Sequence, residues 1–225
     1  MSSLKAFSKG SAIKFGWETV KSKFWFLVGI YLVVSIINSL PGILTGTKIV
    51  AEDGSAFWIV QILTWIISLI TTMGTIRISL NLYDNREVHF SDLFNNYQPF
   101  LRMLGTTILI GIICMVGFIL LVIPGIIAAL RLQFAVFLVV DEGLGPVEAI
   151  KKSWVLTRGS AWNLFLFWLL TVLVVILGFI CLVIGILVAA PVTYLGLTYI
   201  YRQLNPGQGI SALEVEHPSP TLYEN

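Results

Sequence analysis

Six apolar runs separated by short polar stretches dominate the chain. They are Phe24 to Leu44, Ala56 to Leu82, Leu104 to Ile123, Pro124 to Val140, Trp162 to about Cys181, and Gly185 to about Tyr201. Crossing ~30 Å of hydrocarbon takes roughly 20 helical residues. Backbone groups in lipid must be satisfied internally, and a continuous apolar run does this as a helix. A barrel would instead need short alternating segments. The pattern predicts an all-α integral membrane protein with six transmembrane helices. Runs three and four should meet in a tight turn at Ile123-Pro124-Gly125, since proline is tolerated where a helix starts. Runs five and six meet near Leu182 to Gly185. Pro41 and Pro191 each remove a helical hydrogen bond and should bend the first and sixth helices. Gly185, Ala189 and Thr193 form a row of small residues that permits close packing.

Amphipathic stretches precede each pair of runs. In the first, Ile13, Trp17, Val20 and Phe24 share a helical face, with Lys14, Glu18 and Lys21 on another. In the second, Phe90, Leu93, Phe94, Tyr97, Leu101 and Leu104 follow the helical period. In the third, Val147, Ile150 and Trp154 form the apolar stripe, opposite Glu148, Lys151, Lys152 and Arg158. Gly145-Pro146 marks its start, with Glu148 in the first turn. Helices of this kind lie in the membrane interface. The first and third stretches also match without gaps at a constant offset: Ala12, Ile13, Lys14, Trp17, Trp25 and Leu27 align with Ala149, Ile150, Lys151, Trp154, Trp162 and Leu164. The chain therefore reads as three parallel repeats of an interfacial helix plus a helical hairpin, over about 7–84, 88–142 and 143–204. Together they make one membrane domain, 1–204. The polar segment 205–225 is expected to be a disordered cytoplasmic tail.

Of the 225 residues 57% are hydrophobic and 12% charged, far from the roughly 25% charged of a soluble domain. A net charge of +2 gives no reason to expect nucleic acid. The position of the charges is more informative. Lys5, Lys9, Lys14, Lys21 and Lys23 precede the first run. Arg86 and Arg102 lie between runs two and three, and Lys151, Lys152 and Arg158 between runs four and five. With six spans all of these share one side, and Lys48 stands on the other beside Glu52 and Asp53. The positive-inside rule then places both termini in the cytoplasm, in the cell membrane. The basic stretch Met1 to Lys23 and the run after it resemble a signal peptide, but Asn38-Ser39-Leu40-Pro41 lacks a small-x-small cleavage site, so an uncleaved first span is expected. Cys114 and Cys181 each sit in an apolar run and read as small hydrophobes. His89 and His217 are far apart, and no cluster has metal-ligand spacing. No cofactor and no metal are expected.

The segment VVDEGLGPVEAIKKSWVLTRGSAWNLF, from Val139 to Phe165, together with IPGIIAALRLQFAVF before it and PVTYLGLTYIYRQL after it, resembles the membrane domain found beside glycerophosphodiester phosphodiesterase domains. It is also similar to the bacterial six-span families of the YciC and DUF975 type. The resemblance covers roughly residues 90 to 204. It implies a six-span fold and no chemistry, because phosphodiesterase activity in fused proteins belongs to a separate soluble barrel, which no cytoplasmic segment here is long enough to hold.

Candidate functional residues are few. Arg131 lies seven residues into the fourth run, roughly 10 Å down a helix begun at Pro124. A charge there costs about 2.5–3.5 kcal/mol and usually faces a bundle interior or a cavity. Either it binds an anionic lipid or another ligand, with Gln133 and Asn163, or it donates to carbonyls freed near a turn or snorkels along its own stem. Arg77 and Arg202, near the ends of runs two and six, are expected to snorkel. Asp141 and Glu142 end the fourth run and are expected to dock the next interfacial helix through Lys151 or Lys152. Trp17, Trp25, Trp154 and Trp162 read as interfacial anchors. No Ser/His pair, matched carboxylates or metal motif supports an enzyme. The residues favour a non-catalytic protein that handles lipid or assists an envelope enzyme or exporter; the alternative is a small transporter or channel built from parallel repeats. The expected partners are membrane lipids or a membrane or soluble protein, with the oligomeric state open.

Overall fold

The computed structural model describes residues 8–47, 54–95, 98–180 and 182–206, without the side chains of residues 45, 46, 177, 179, 180 and 182–187. Lys48, Glu52, Asp53, Tyr97, Cys181, His217 and most of the expected tail lie outside them. The described residues form helices and no strands: α1 (Lys9–Ser22), α2 (Phe24–Gly46), α3 (Ser55–Tyr83), a 3-10 turn (Phe90–Leu93), α4 (Phe100–Leu120), α5 (Val122–Leu132), α6 (Ala135–Glu142), α7 (Pro146–Leu156), α8 (Ala161–Ile180) and α9 (Leu182–Leu204).

Four segments are long and apolar enough to cross a membrane: Phe24–Leu44, Ser55–Tyr83, Phe100–Leu120 and Val122–Glu142. A fifth is α7 with α8 as far as Ile176, two helices bent by 94° at their junction. That bend fits the expected change from interfacial helix to apolar run. The sixth run falls within α9, part of which carries no described side chains.

Three local expectations need correction. The turn between runs three and four is centred on Leu121, in extended conformation, with its N–H on the Gly117 carbonyl. Pro124 stands inside the first turn of α5, where its missing donor would have had no partner. Close approach sets the turn's place, since a Cβ on Gly117 would lie 3.0 Å from the Gly125 Cα. Secondly, run four is broken at Gln133 and Phe134 into α5 and α6. Thirdly, residues 90–104 do not form one amphipathic helix. A 3-10 turn comes first and α4 starts at Phe100, after Pro99, which cannot supply a helical donor within a preceding helix. Pro41 and Pro191, by contrast, sit inside helices that continue through them.

α2 packs on α3, α4 on α5, and α8 on α9, and the most deeply buried side chains lie on α3, α6 and α9. On α3 the buried side chains include Leu69, Met73, Ile76 and Leu80; on α6, Phe137, Leu138 and Val139; on α9, Val192, Leu195, Ile200 and Tyr201. The rings of Phe134, Phe137, Tyr194 and Tyr201 pack together in the centre. Burial is concentrated at the end where α3, α6 and α9 finish. Along α3, Trp58, Ile59, Ile62 and Leu63 are exposed, and burial begins at Leu69. Among the described residues, burial is thus heavy at one end of the bundle and sparse toward the other.

The connecting elements lock this tight end. α1 lies along α9, the 3-10 turn along α3, and α7 across α4, α5 and α6. Each sits on the second helix of the preceding pair, with α1 closing the circle on the last. In each contact, backbone meets backbone or a small side chain. A Cβ on Gly16 would fall 2.3 Å from the Val192 carbonyl oxygen, and one on Gly74 2.1 Å from that of Leu93. The Ser153 hydroxyl donates to the Arg131 carbonyl at 2.6 Å. Gly74, Arg131 and Val192 stand roughly 2.5 to 3.3 helical turns before Tyr83, Glu142 and Leu204, where α3, α6 and α9 end. The buried face of α1 is therefore Ala12, Gly16 and Val20, and that of α7 is Ala149, Ser153 and Leu156. The stripes expected from hydrophobicity included Trp17 and Trp154, which are exposed. Small residues win the packed face because only they let two backbones approach.

Candidate functional site

Asp84, Asp141 and Glu142, and Arg202 and Asn205, finish the three inner helices, and the fold brings all of them together. Arg202 Nη2 lies 2.5 Å from Asp84 Oδ2 and its Nη1 lies 2.8 Å from Asp141 Oδ2. The Arg202 and Asp141 side chains are each 6% exposed, and Asp84 14%. The Tyr201 hydroxyl also donates to Asp141 Oδ2, at 2.8 Å. Asn205 Nδ2 donates to Glu142 Oε1 at 2.7 Å and to the Tyr201 hydroxyl at 3.2 Å. Lys152 of α7 meets Glu142 at 2.5 Å, and Arg102 of α4 donates to the Gly143 carbonyl. Gly143, at φ +65°, ends α6 in the left-handed conformation that glycine adopts without strain. Arg202 is therefore a buried clamp between two aspartates, and the expectation that it snorkels is corrected. Snorkelling suits a cation with water in reach, and here two buried carboxylates supply the counter-charge. Arg77 is half-buried on α3 and outside this cluster.

Of the residues expected to dock the interfacial helix, the structure brings one pair together. Lys152 binds Glu142 and joins α7 to the end of α6, whereas Asp141 turns inward to Arg202 and Tyr201. Lys151 is exposed, with no ion pair among the described residues.

A second group surrounds the break between α5 and α6. The last carbonyls of a helix lack intrahelical donors, and that of Arg131 accepts from Ser153 at 2.6 Å and from Thr157 at 3.4 Å. The Arg131 guanidinium carbon stands 4.6 Å from the centre of the Trp154 ring, a cation–π contact. Arg131 Nε and Gln133 Nε2 are buried without a partner among the described residues. Gln133 Oε1 accepts from Trp168 Nε1 at 3.2 Å. Asn163 is half-buried near the start of α8, and no described contact joins it to Arg131 or Gln133.

Gln133 forms part of the wall of a groove of about 270 Å³ between the α4–α5 pair and α8. The other walls are Phe118, Ile126, Ala129, Leu130, Phe165 and Trp168. This is about nine water volumes, close to the lower size of small-ligand pockets. The groove is almost wholly apolar, and the Gln133 Nε2 is closed off from it. Trp17, Trp25, Trp154 and Trp162 are all exposed, and Trp17 carries Lys21 over its ring at 5.7 Å. No group of His, Cys, Asp and Glu among the described residues is arranged to hold a metal ion.

Sequence reasoning missed Asp84, Tyr201 and Asn205. The available signal was their shared position at the ends of the second, fourth and sixth runs, which marks them as neighbours if the runs form one bundle.

Residues 99–221 match a family described as "Domain of unknown function (DUF7847)". The chain is 30% identical over 145 residues to Uncharacterized protein Rv2560 of Mycobacterium tuberculosis and to Uncharacterized protein Mb2590 of Mycobacterium bovis. Each alignment covers 64% of this chain and 44% of the relative, so the chain spans less than half the length of these curated relatives. No solved structure matches.

Proposed function

We propose that this chain, which belongs to the family described as domain of unknown function DUF7847, is a non-catalytic six-span membrane protein that holds lipid. In this reading it lies in the cell membrane with both termini cytoplasmic, handling lipid directly or assisting an envelope enzyme or exporter. The groove between α4–α5 and α8 carries the reading. Its walls are apolar, with Gln133 and Trp168 among them, and its surroundings are helices apolar enough to face hydrocarbon. Three parallel repeats are supported by the circular placement of α1, the 3-10 turn and α7, and by the burial of Ala12, Gly16 and Val20 at the same offset as Ala149, Ser153 and Thr157. The resemblance to the phosphodiesterase-associated membrane domain and the YciC and DUF975 families is part of the proposal.

Ala129 is exposed and lines the groove, so Ala129→Trp fills it without entering the core. Mass spectrometry of lipid retained through purification should show bound lipid in the unaltered protein and its loss in Ala129→Trp, with equal thermal stability. Equal retention in both would remove the groove as the holding site. A reporter inserted at Leu144, between α6 and α7, should report a cytoplasmic location; an external one would invert the topology.

One observation favours the transporter alternative. The Asp84–Arg202–Asp141 clamp ties the ends of α3, α6 and α9 together through ion pairs, as a closed gate would. Solute flux in proteoliposomes, raised by breaking the clamp, would move the reading there.

A further inference from the structure

We infer that Arg131, with the α7 face formed by Lys151, Trp154 and Arg158, is the headgroup site of an anionic glycerophospholipid. This rests on the lipid-holding reading and names the class of lipid. Lys151 and Trp154 are three residues apart and share one face of α7, and Arg158 follows in the turn after Leu156. All three are exposed. The cations on this face are in excess. Lys152 is neutralised by Glu142, and the Glu148 carboxylate is turned back to the Gly145 N–H at 3.4 Å. Lys151, Arg158 and Arg131 have no ion pair among the described residues. Arg131 is held in place, its carbonyl fixed by Ser153 and its guanidinium laid over Trp154. Its Nε is closed off, but the side chain is only half-buried and its terminal nitrogens are not among the buried orphan atoms. The end of a planar guanidinium can donate to phosphate oxygens.

The apolar neighbours select a lipid over a soluble phosphate. Val147 and Val155, one helical turn to either side of Lys151, are exposed, as is Trp162 at the start of α8. A dissolved anion gains nothing from them, whereas the glycerol and first methylenes of a lipid bury them. Indole rings prefer the headgroup level of a bilayer, so Trp154 supplies both the floor of the site and its depth.

The test is a competition. The full chain in neutral detergent is offered equal amounts of phosphatidylglycerol and phosphatidylcholine, and the bound ratio is read by native mass spectrometry. The unaltered protein should favour phosphatidylglycerol. A surface cation contributes ~1 kcal/mol to anionic-lipid attraction, so Lys151→Gln and Arg158→Gln should each lower the ratio about fivefold. Both residues are exposed, so neither change endangers folding, and Arg131→Lys keeps the charge while removing the fork. If the variants bind as much lipid with an unaltered ratio, the headgroup assignment falls and the groove reading stands. If the unaltered protein retains neither lipid, the groove reading falls as well. If inorganic phosphate in large excess displaces phosphatidylglycerol completely, the site serves a soluble anion and the lipid assignment is overturned.

Discussion

Replacing Arg202 by leucine is expected to lower the stability of the detergent-solubilised protein by about 3–5 kcal/mol, the penalty for removing one partner of a buried ion pair. The change strands Asp84 and Asp141, 2.5 and 2.8 Å from the lost guanidinium, without a cation. At ~2–4 °C per kcal/mol for a chain of this size, the melting temperature should fall by roughly 6–20 °C. The penalty comes from the abandoned carboxylates, so Asp84→Asn with Asp141→Asn should recover much of it in the Arg202→Leu background. Arg202→Lys should fall between, because an ammonium is a point charge and cannot fork between two aspartates. An unchanged melting temperature for Arg202→Leu would mean that water reaches this arginine and that the clamp does not hold the helix ends.

The second large effect is expected at Gly74. A methyl added there meets the backbone of the 3-10 turn, at 2.1 Å from the Leu93 oxygen and 2.5 Å from its carbonyl carbon and Cα. Overpacking costs typically ~1–3 kcal/mol and sometimes more, and backbone cannot swing aside as a long side chain does. Gly74→Ala should therefore reach the top of that range. Gly16→Ala, 2.3 Å from the Val192 oxygen, should behave alike. Gly111 is the control. It is helical with nothing within 4 Å of an added Cβ, and Gly111→Ala should stabilise α4 by up to ~1 kcal/mol through helix propensity. Thermal shift assays on the three variants test the sign as well as the size. If Gly74→Ala also stabilises, the turn does not seat on α3 as described.

The candidate residues were legible to different degrees. Arg131 stood out because a charge inside an apolar run is expensive wherever the chain goes. Its surroundings were not legible, since Trp154, Ser153 and Thr157 reach it only when α7 folds back across the α5–α6 break. The pairing of Lys152 with Glu142 was readable because the two lie ten positions apart, close enough for a short turn to bring them together. The Arg202 clamp was not: its partners stand 118 and 61 positions away, and nothing local distinguishes a snorkelling arginine from a clamped one. On α1 and α7 the apolar stripe and the face packed on the bundle are different: Trp17 and Trp154 stay exposed while Gly16, Ala149 and Ser153 are buried. In water burial follows hydrophobicity, but between helices in an apolar setting it follows size, and glycine, alanine and serine take the contact.

The apolar runs, the amphipathic connectors and the uneven spread of cations needed no neighbour to be read. Hydrogen-bonded helix and hydrocarbon length are local constraints, and four segments meet them by themselves. Which helices lie inside, where α5 gives way to α6, and how three helix ends share one buried arginine were decided by the assembled bundle. Those outcomes depend on close packing and on charges paired across long stretches of chain, and both come into being only when the helices meet.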